Sequence, residues 1–471
     1  MVGITARMAR LRSEAGVALA RRVAYSKLRN AFKERVVPLV GVAGQRAVLQ
    51  AFDASPFVGV RFDQDFDGRW VRHGRSDMLL PSRASLVRVE AELVAAGIDG
   101  AAAIVDDLAA ASEEAISGFP KDAGGDVVLH KASPKTWTVS YGGQTYAIND
   151  KRFAWLRRAH EQARHGNPRV AFEYDLFKLL AHYDALQDGN QAAIPKQVAK
   201  AFERWAVKQG GNVIEAFASG LNHRLTKRSP VAFGTFFPEV DKAFGGVGPF
   251  YHERAFEGPG TGKTWKIPTR HPMCARYAED HRLLLCNPPF APEGLGPLAE
   301  SVRQVLEFDD RTTCVVVTPR FADDAPHLVA LRALGPLAVS VLEPHRHTFE
   351  RPTPLVDKAK PADHPYFATS LMVFSSRPKA KAYRAEVLLN SLAQTWALAA
   401  QEARIQRRRD EKKKRHRRGR RPPGRKGPPP RERAAADRAG GDDRREGRRP
   451  PPRRDGGRGR RPGGLESSLL P

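Results

Sequence analysis

The stretch RLLLCNPPF, residues 282–290, joins a run of apolar residues to an elbow made of Asn287, Pro288, Pro289 and Phe290. A near-continuous apolar run is typical of a strand that is covered on both faces. The strand should end at the elbow, because proline fixes φ and has no N–H to donate. In sheets of parallel strands, ligands bind beyond the carboxyl ends of the strands. The stretch therefore predicts a central strand whose elbow faces a ligand site.

Other strand-like runs occur on both sides of this stretch. They are NVIEAF (212–217), TTCVVVT (312–318), AVSVLE (338–343) and FATSLMVFS (367–375). Helical patterns separate them, for example IPKQVAKAFERWAVKQ (194–209), which has apolar residues on one face. Strands that alternate with helices predict an α/β domain with a Rossmann-like, largely parallel sheet. We assign this domain to residues 169–380.

The part of the chain before residue 169 is different in pattern. Residues 1–124 predict a mainly helical region, because apolar residues recur at helical spacing. Residues 125–168 predict a small unit in which two strands meet at Gly142-Gly143, a hairpin signal, and a basic helix follows. The Arg- and Ala-rich start of the chain allows an organellar transit peptide, but we favour an amphipathic helix of the folded domain.

Charge and cysteine content narrow the classes of protein. The 471 residues carry a formal net charge of +26, which favours a polyanionic partner, above all nucleic acid. The three cysteines form neither a disulfide framework nor a spaced zinc set, so we expect no metal site. No run of about 18 apolar residues occurs, so we expect no membrane span.

Residues 401–471 form a tail rich in Arg, Pro and Gly. The tail contains no Phe, Trp or Tyr, so it lacks the apolar surface whose burial would offset chain entropy. We therefore predict that it is disordered. Two roles stay open for it: the basic tail binds RNA through counterion release, or it is a solvated extension.

The elbow suits methyl transfer onto an exocyclic adenine amine. Such an amine is a weak nucleophile because its lone pair is delocalised into the ring. The side-chain carbonyl of Asn287 and the backbone carbonyl of Pro288 are acceptors that favour the pyramidal amine developing in the transition state. Phe290 offers a ring on which an extruded base can stack. The alternative is an ordinary Pro-Pro turn, with Phe290 in the core.

A loop of small residues upstream predicts the cofactor side of the site. EAFASGLN (215–222) follows a predicted strand, and small residues let the backbone approach S-adenosylmethionine. Asp241 lies downstream, where acids of nucleotide-binding sheets hold ribose hydroxyls; a solvated surface carboxylate is the alternative. The predicted cofactor-binding residues are Phe217, Ala218, Ser219, Gly220 and Asp241.

One motif is similar to a nucleotide-binding site of another class. GPGTGKT (258–264) is similar to a phosphate-binding loop, but the pattern requires a glycine where Glu257 stands. No hydrophobic strand precedes it. We interpret residues 251–281 as a flexible, basic insertion and not as an ATP site.

Taken in order, five motifs resemble the phosphorylated-CTD-interacting-factor family, the cap-specific adenosine-N6-methyltransferases of messenger RNA. The resemblance implies an S-adenosylmethionine-dependent enzyme that methylates the cap-adjacent 2′-O-methyladenosine of capped mRNA. It also implies that the helical region packs on the methyltransferase domain and helps to form the RNA groove. The motifs are FASGLN (217–222), FPEVDKAFGGVGPF (237–250), LLLCNPPF (283–290), VVVTPRF (315–321) and HPYFATSLMVF (364–374).

The resemblance also implies roles for single residues. The elbow would hold the target adenine, with Asn287 and Phe290 also abutting the cofactor. Phe321 stands where the family carries a tryptophan on the substrate side, next to Arg320. A cationic 7-methylguanine stacks on an aromatic face, so phenylalanine keeps this contact in weaker form. Glu293 follows the elbow at the second of the family's acidic positions.

The resemblance leaves several alternatives. Trp137 and Trp155 are spaced too closely for the WW module of animal members, so we predict no WW-mediated docking on the polymerase tail. An enzyme of the same chemistry that acts on internal RNA or DNA adenines is one rival, and a non-catalytic RNA-binding relative is another. We expect a nuclear location, with the cytoplasm or an organelle as alternatives.

Overall fold

The computed structural model describes residues 2–58, 61–64, 70–73, 77–120, 125–163, 172–186, 193–208, 211–223, 233–246, 250, 281–290, 292–308, 312–350, 365, 367–376 and 382–419. The chain divides into two units, Met1–Lys413 and Lys414–Pro471. The motif at 258–264, nearly all of the insertion at 251–281 and the tail beyond residue 419 lie outside the described residues.

The N-terminal part is built from helices and two small antiparallel sheets. The helices are α1 (Val2–Val36), α2 (Val42–Ala54), α3 (Val87–Ala95), α4 (Ala101–Ser117), α5 (Asp150–Ala163) and α6 (Phe172–Ala185). The strands are β1 (Arg61–Gln64), β2 (Trp70–His73), β3 (Val128–Ser133), β4 (Thr136–Tyr141) and β5 (Gln144–Asn149). Strands β1 and β2 form one sheet, and β3, β4 and β5 form the other.

The hairpin predicted at Gly142-Gly143 is confirmed. It joins β4 to β5, and its two glycines have φ values of +55° and +79°. Both values are left-handed, as a two-residue hairpin of the favoured type requires, and glycine adopts them without strain. The basic helix that was expected after the hairpin is α5.

Helix α1 is part of the folded unit. Its Tyr25 and Phe32 are each 1% exposed and lie in the main core. Its arginines donate hydrogen bonds to acids elsewhere in the N-terminal part: Arg21 to Asp77 at 2.7 Å, Arg22 to Asp184 at 2.9 Å and Arg29 to Asp53 at 2.6 Å. This arrangement agrees with the interpretation of the Arg- and Ala-rich segment as a helix of the folded domain.

The C-terminal part alternates strands with helices. In chain order its elements are α7 (Lys196–Lys208), β6 (Gly211–Glu215), α8 (Pro238–Asp241), β7 (His281–Cys286), α9 (Pro292–Leu295), α10 (Leu298–Phe308), β8 (Thr312–Arg320), α11 (Pro326–Ala333), β9 (Ala338–Leu342), β10 (Ala368–Ser375) and α12 (Ala382–Gly419). Together with the N-terminal part they make a mixed α/β structure, as predicted.

The five predicted strands form one sheet in the order β6-β7-β8-β10-β9. Strands β6, β7 and β8 are parallel, whereas β10 is antiparallel to both of its neighbours. The expectation of a largely parallel sheet thus holds with one reversed strand. Two single-residue parallel bridges extend the sheet beyond β6: Glu215 pairs with Phe233, and Phe233 pairs with Gly246.

Both faces of this sheet are covered. Leu284 and Val316 belong to a cluster that contains residues of α10, α11 and the N-terminal helices. Their neighbours Leu283 and Val315 belong to a second cluster with α7 and α12. Because successive residues of a strand face opposite sides, burial on both sides explains the uninterrupted apolar run of residues 283–286. The thiols of Cys286 and Cys314 are buried, and neither forms a disulfide among the described residues.

Two elements depart from the predictions. Strand β3 was not expected, because most of its residues are exposed and no apolar alternation marks it. Helix α12 continues to Gly419, although disorder is predicted from residue 401. Its buried Leu392 and Trp396 anchor the helix, and the Arg, Lys, Gln and Glu residues that follow are good helix formers. No described helix is both long and apolar enough to serve as a membrane span.

Candidate active site

A cleft with about 660 Å³ of open space lies at the carboxyl ends of β6 and β7. The sheet order reverses at this point. After β6, the chain first pairs on one side of this strand, through the bridges at Phe233 and Gly246. It then returns to form β7 on the other side of β6. A reversal of strand order opens a crevice beyond the strand ends, where ligands of α/β sheets bind.

The predicted elbow forms one wall of the cleft. Asn287, Pro288, Pro289 and Phe290 follow β7 directly, and all four line the space. Helix α9 packs closely behind them. A Cβ atom added at Gly294 would lie 2.6 Å from the carbonyl oxygen of Pro289, closer than real Cβ atoms come. Glycine at this position therefore lets α9 support the elbow.

The ring of Phe290 is the first of three aromatic rings that lead to the surface. Its centroid lies 5.9 Å from that of Phe367, and Phe367 lies 4.9 Å from Phe321, both in steeply inclined pairs. Phe321 is 54% exposed. Phe349 contacts Phe290 from another side at 5.3 Å. The predicted base-stacking residue and the predicted substrate-side residue are thus connected through Phe367.

The predicted cofactor loop forms a second wall. Phe217, Ala218 and Ser219 line the cleft after β6, together with Asn222. The loop is held by its own hydrogen bonds: the Ser219 amide donates to Oδ1 of Asn222 at 2.6 Å, and the Asn222 amide donates to Oγ of Ser219 at 3.1 Å. This reciprocal turn fixes the backbone that faces the cleft.

Gly220 of the same loop lies behind the wall of the cleft, and its predicted contact with the cofactor stays a prediction. A Cβ atom at this position would lie 3.1 Å from Cδ2 of Leu179 and 3.4 Å from Cδ2 of Leu156. Gly220 is buried and is not among the residues that line the cleft. Its small size therefore lets the loop pack against α5 and α6, on the side away from the cleft.

Asp241 is buried behind the loop. It is 0% exposed and does not line the cleft. Its carboxylate accepts hydrogen bonds from the Gly220 amide at 2.9 Å, the Tyr183 hydroxyl at 2.5 Å and the Thr235 hydroxyl at 2.5 Å. Burial raises the pKa of Asp241 to about 6, although these donors oppose the shift. Asp241 holds the loop from behind through these hydrogen bonds, and its predicted contact with ribose stays a prediction.

Arg152, His223 and Glu215 support the loop on the side away from the cleft. The Arg152 guanidinium of α5 donates to the carbonyl oxygens of Gly220 and His223, at 3.4 and 3.2 Å. The His223 imidazole lies 3.3 Å from the Glu215 carboxylate at the end of β6. Burial lowers the pKa of His223 to about 3, and the Arg152 charge adds to this effect. We infer that the imidazole is neutral and supports the loop by packing.

The N-terminal part supplies a third wall, made of residues that are not among the predicted site residues. Phe57, Tyr183 and Leu186 line the cleft. Phe57 lies 5.2 Å from Phe236 and 5.6 Å from Phe237, which line the cleft on its C-terminal side. No local pattern marks Phe57 as a site residue, since only the tertiary fold brings it to the ends of β6 and β7.

The remaining predicted residues lie around the cleft. Phe321 is at the surface beyond β8, and Arg320 forms an ion pair with Asp323. Glu293 is in α9, but its side chain is outside the described residues. Within the described ranges, no group of three His, Cys, Asp or Glu side chains is arranged to hold a metal ion.

Comparison with known proteins gives one match. A family model described as the phosphorylated CTD interacting factor 1 WW domain matches residues 153–260. No match was found among the curated proteins compared. The matched range contains the cleft residues Tyr183 and Phe217 and ends before the elbow.

The described residues of the matched range include most of α5, all of α6, α7, β6 and α8, and the loops that follow β6 and α8. The prediction that no WW module docks on the polymerase tail stays a prediction. The match nevertheless agrees with the family that the five sequence motifs resemble. Over residues 153–260, the chain is therefore similar to the phosphorylated-CTD-interacting-factor family.

Proposed function

We propose that this protein is an S-adenosylmethionine-dependent methyltransferase that modifies the N6 amine of adenosine in mRNA, at the cap-adjacent 2′-O-methyladenosine. The observation that supports this most strongly is the cleft itself. It brings the elbow Asn287–Phe290 together with Phe217, Ala218, Ser219 and Asn222 of the loop, at the point where the strand order reverses. The similarity of residues 153–260 to the phosphorylated-CTD-interacting-factor family supports the same activity and a nuclear location.

The sheet supports a Rossmann-like methyltransferase fold. Starting from the bridge at Gly246, the sheet runs through Phe233 to β6 and then to β7, β8, β10 and β9. Up to β8 the described strands and bridges are parallel, and helices cover both faces. In doubly wound sheets of this kind, nucleotides bind across the crevice between the first strand and the strand that starts the other half.

The lining of the cleft fits the chemistry of the proposed cofactor. The cleft is bounded by the aromatic Phe217 and Phe237, and by the polar Ser219 and Asn222. Aromatic walls with a few placed polar groups are typical of small-molecule sites. We expect Phe217, Ala218 and Ser219 to hold S-adenosylmethionine. When bound, it would supply an electrophilic methyl group.

The elbow would orient and activate the amine. The side-chain carbonyl of Asn287 and the backbone carbonyl of Pro288 would accept its two N–H groups, which favours the pyramidal form with an available lone pair. The rigid prolines and the close support of Gly294 limit the motion of these acceptors. Such fixed acceptors cost no reorganisation during the reaction.

The aromatic rings that lead to the surface support the choice of the capped end of mRNA. Phe290 would stack on the adenine in the cleft, and Phe321 presents an exposed ring at the end of the same series. A 7-methylguanine is cationic, and a cation is attracted to an aromatic face. The cap would therefore rest on Phe321 while the adjacent adenosine occupies the cleft.

Two measurements test this proposal. Calorimetry should detect binding of S-adenosylhomocysteine; a complete absence of binding would favour a non-catalytic relative. Methylation assays on capped and uncapped transcripts of one sequence then test the substrate. We expect methylation of the capped transcript alone. Equal methylation of both transcripts would indicate that the enzyme acts on internal adenines and does not require the cap.

A further inference from the structure

Helix α12 runs along the sheet towards the edge that holds the cleft. Strand β10 ends at Ser375, which pairs with Thr313 near the start of β8 at the opposite edge, and α12 comes next in the chain. Farther along the helix, the ring of Trp396 contacts Phe349, and Phe349 contacts Phe290 of the elbow. By Trp396, therefore, the helix has reached the level of the cleft.

Beyond Ala400, the last buried residue of the helix among those described, the helix leaves the body of the domain. The Arg404 guanidinium donates to the carbonyl oxygen of His345, in the turn that follows β9 at the cleft edge. Every residue from 404 to 413 is exposed. At 1.5 Å per residue, residues 405–413 extend the helix by about 14 Å beyond this contact. We call residues 404–413 the basic arm.

One side of the basic arm is strongly cationic. Arg404, Arg408 and Lys412 recur every four residues and so share a face, with Arg407 beside them. The basic arm contains two acidic residues. Glu411 lies on the cationic side, whereas Asp410 lies on the opposite side of the helix and accepts a hydrogen bond from Gln406 at 3.1 Å. The cationic side is continuous with the exposed Arg346, one residue beyond His345.

We propose that the basic arm binds the phosphate backbone of the RNA chain that flanks the nucleotide in the cleft. This inference rests on the proposed function, because it takes RNA as the occupant of the cleft. Charge complementarity and the continuity of the arm with the cleft edge support it. The arm contains no aromatic residue, so it has no ring on which bases could stack. It should therefore bind RNA without regard to sequence.

The variant that tests the arm replaces three of its cations: Arg407→Gln, Arg408→Gln and Lys412→Gln. Arg404 is left in place because it contacts the turn after β9. A matched control replaces Lys200, Arg204 and Lys208 by Gln. These three are also exposed and recur every four residues, but they lie on α7, which ends near the amino edge of the sheet. Both variants lose the same charge.

Fluorescence anisotropy with an uncapped, single-stranded RNA of about 20 nucleotides measures the arm directly. We expect the arm variant to bind about tenfold more weakly at low salt, with a salt slope reduced by about 2, since each single-strand phosphate contact contributes about 0.7. The control variant should bind as the unchanged protein does. Equal losses in both variants, or no loss in either, would overturn the proposal.

The same variants in methylation assays link the arm to the cleft. We expect KM for a long capped RNA to rise about tenfold in the arm variant, while turnover of a capped dinucleotide is unchanged. Failure of methylation by every protein would refute the proposed function and leave the anisotropy result standing. A phosphorylated peptide that bound more tightly than RNA, through the same three residues, would instead identify the arm as a protein-binding surface.

Discussion

The hydroxyl of Tyr183 donates a hydrogen bond of 2.5 Å to the carboxylate of Asp241, and this bond joins helix α6 to the segment after β6. The other oxygen of Asp241 accepts from the amide of Gly220, in the loop that lines the cleft. The N-terminal part therefore does more than add Tyr183 to the cleft wall. Through Asp241 it also fixes the position of the loop that we expect to hold the cofactor.

Removing the Tyr183 hydroxyl should weaken this connection. We expect Tyr183→Phe to lower the free energy of unfolding by about 1–3 kcal/mol, the range for a hydrogen bond to a charged group, and to weaken binding of S-adenosylhomocysteine. Urea unfolding and calorimetry measure the two effects. The matched control is Tyr146→Phe, because the buried Tyr146 hydroxyl has no hydrogen-bond partner among the described residues. A larger loss of stability in the control would contradict the assignment.

The free energy of unfolding should depend on pH through the titration of Asp241. Its pKa is raised from 3.8 to about 6, chiefly by burial. Between these values the folded state holds a proton that the unfolded state has lost, so the stabilising contribution present below pH 3.8 disappears as the pH rises through about 6. The shift corresponds to about 3 kcal/mol. Asp241→Asn lacks this titration.

Urea unfolding of both proteins between pH 4 and pH 7 isolates the effect, since other groups titrate alike in each. We expect the free energy of unfolding of the unchanged protein to fall relative to that of Asp241→Asn as the pH rises. A difference that stays constant, or that grows with pH, would show that Asp241 is ionised in the folded state throughout this range.

The limits of sequence reasoning are visible at Asp241 and Phe57. The five strands and the elbow could be predicted because apolar runs and prolines act locally on the backbone. The hydrogen bonds of Asp241 could not be predicted, because its partner Tyr183 is distant in sequence. The sequence pattern around an aspartate also does not distinguish one that faces ribose from one that is buried behind a loop. Phe57 reaches the cleft only through the packing of the N-terminal helices, which no local pattern encodes.

Gly294 should be needed for turnover through its contact with the elbow. A Cβ atom there would lie 2.6 Å from the Pro289 carbonyl oxygen, so Gly294→Ala must displace either α9 or the elbow. We expect kcat to fall about tenfold or more, because small misplacements of reacting groups are costly. Binding of S-adenosylhomocysteine should stay within about twofold of its normal value.

Gly118→Ala is the control for this substitution. The added Cβ would meet its nearest neighbours at 3.6 Å, an ordinary contact, at an exposed helix end far from the cleft in sequence. Steady-state kinetics of the two variants should differ clearly. Equal kcat values for Gly294→Ala and the unchanged protein would mean that α9 does not hold the elbow.

Phe321 should affect recognition of the cap without affecting the fold. It is 54% exposed, so Phe321→Ala should change the free energy of unfolding by no more than about 0.5 kcal/mol. KM for capped RNA should rise about tenfold, and Phe321→Trp should lower it, since tryptophan binds cations best among the aromatic residues. Val329→Ala, at a residue 51% exposed on α11, serves as the control and should leave KM unchanged. An unaltered KM for capped RNA in Phe321→Ala would show that this ring does not contact the cap.

The most direct test of the account is mass spectrometry of nucleosides from capped RNA that begins with 2′-O-methyladenosine, after incubation with the protein and S-adenosylmethionine. We expect N6-methylation of that nucleotide by the unchanged protein. Asn287→Ala should abolish it while binding of S-adenosylhomocysteine persists, because Asn287 acts on the amine. Methylation at a normal rate by Asn287→Ala, or no methylated adenosine from the unchanged protein, would contradict the claim that the elbow presents its acceptors to an adenine amine.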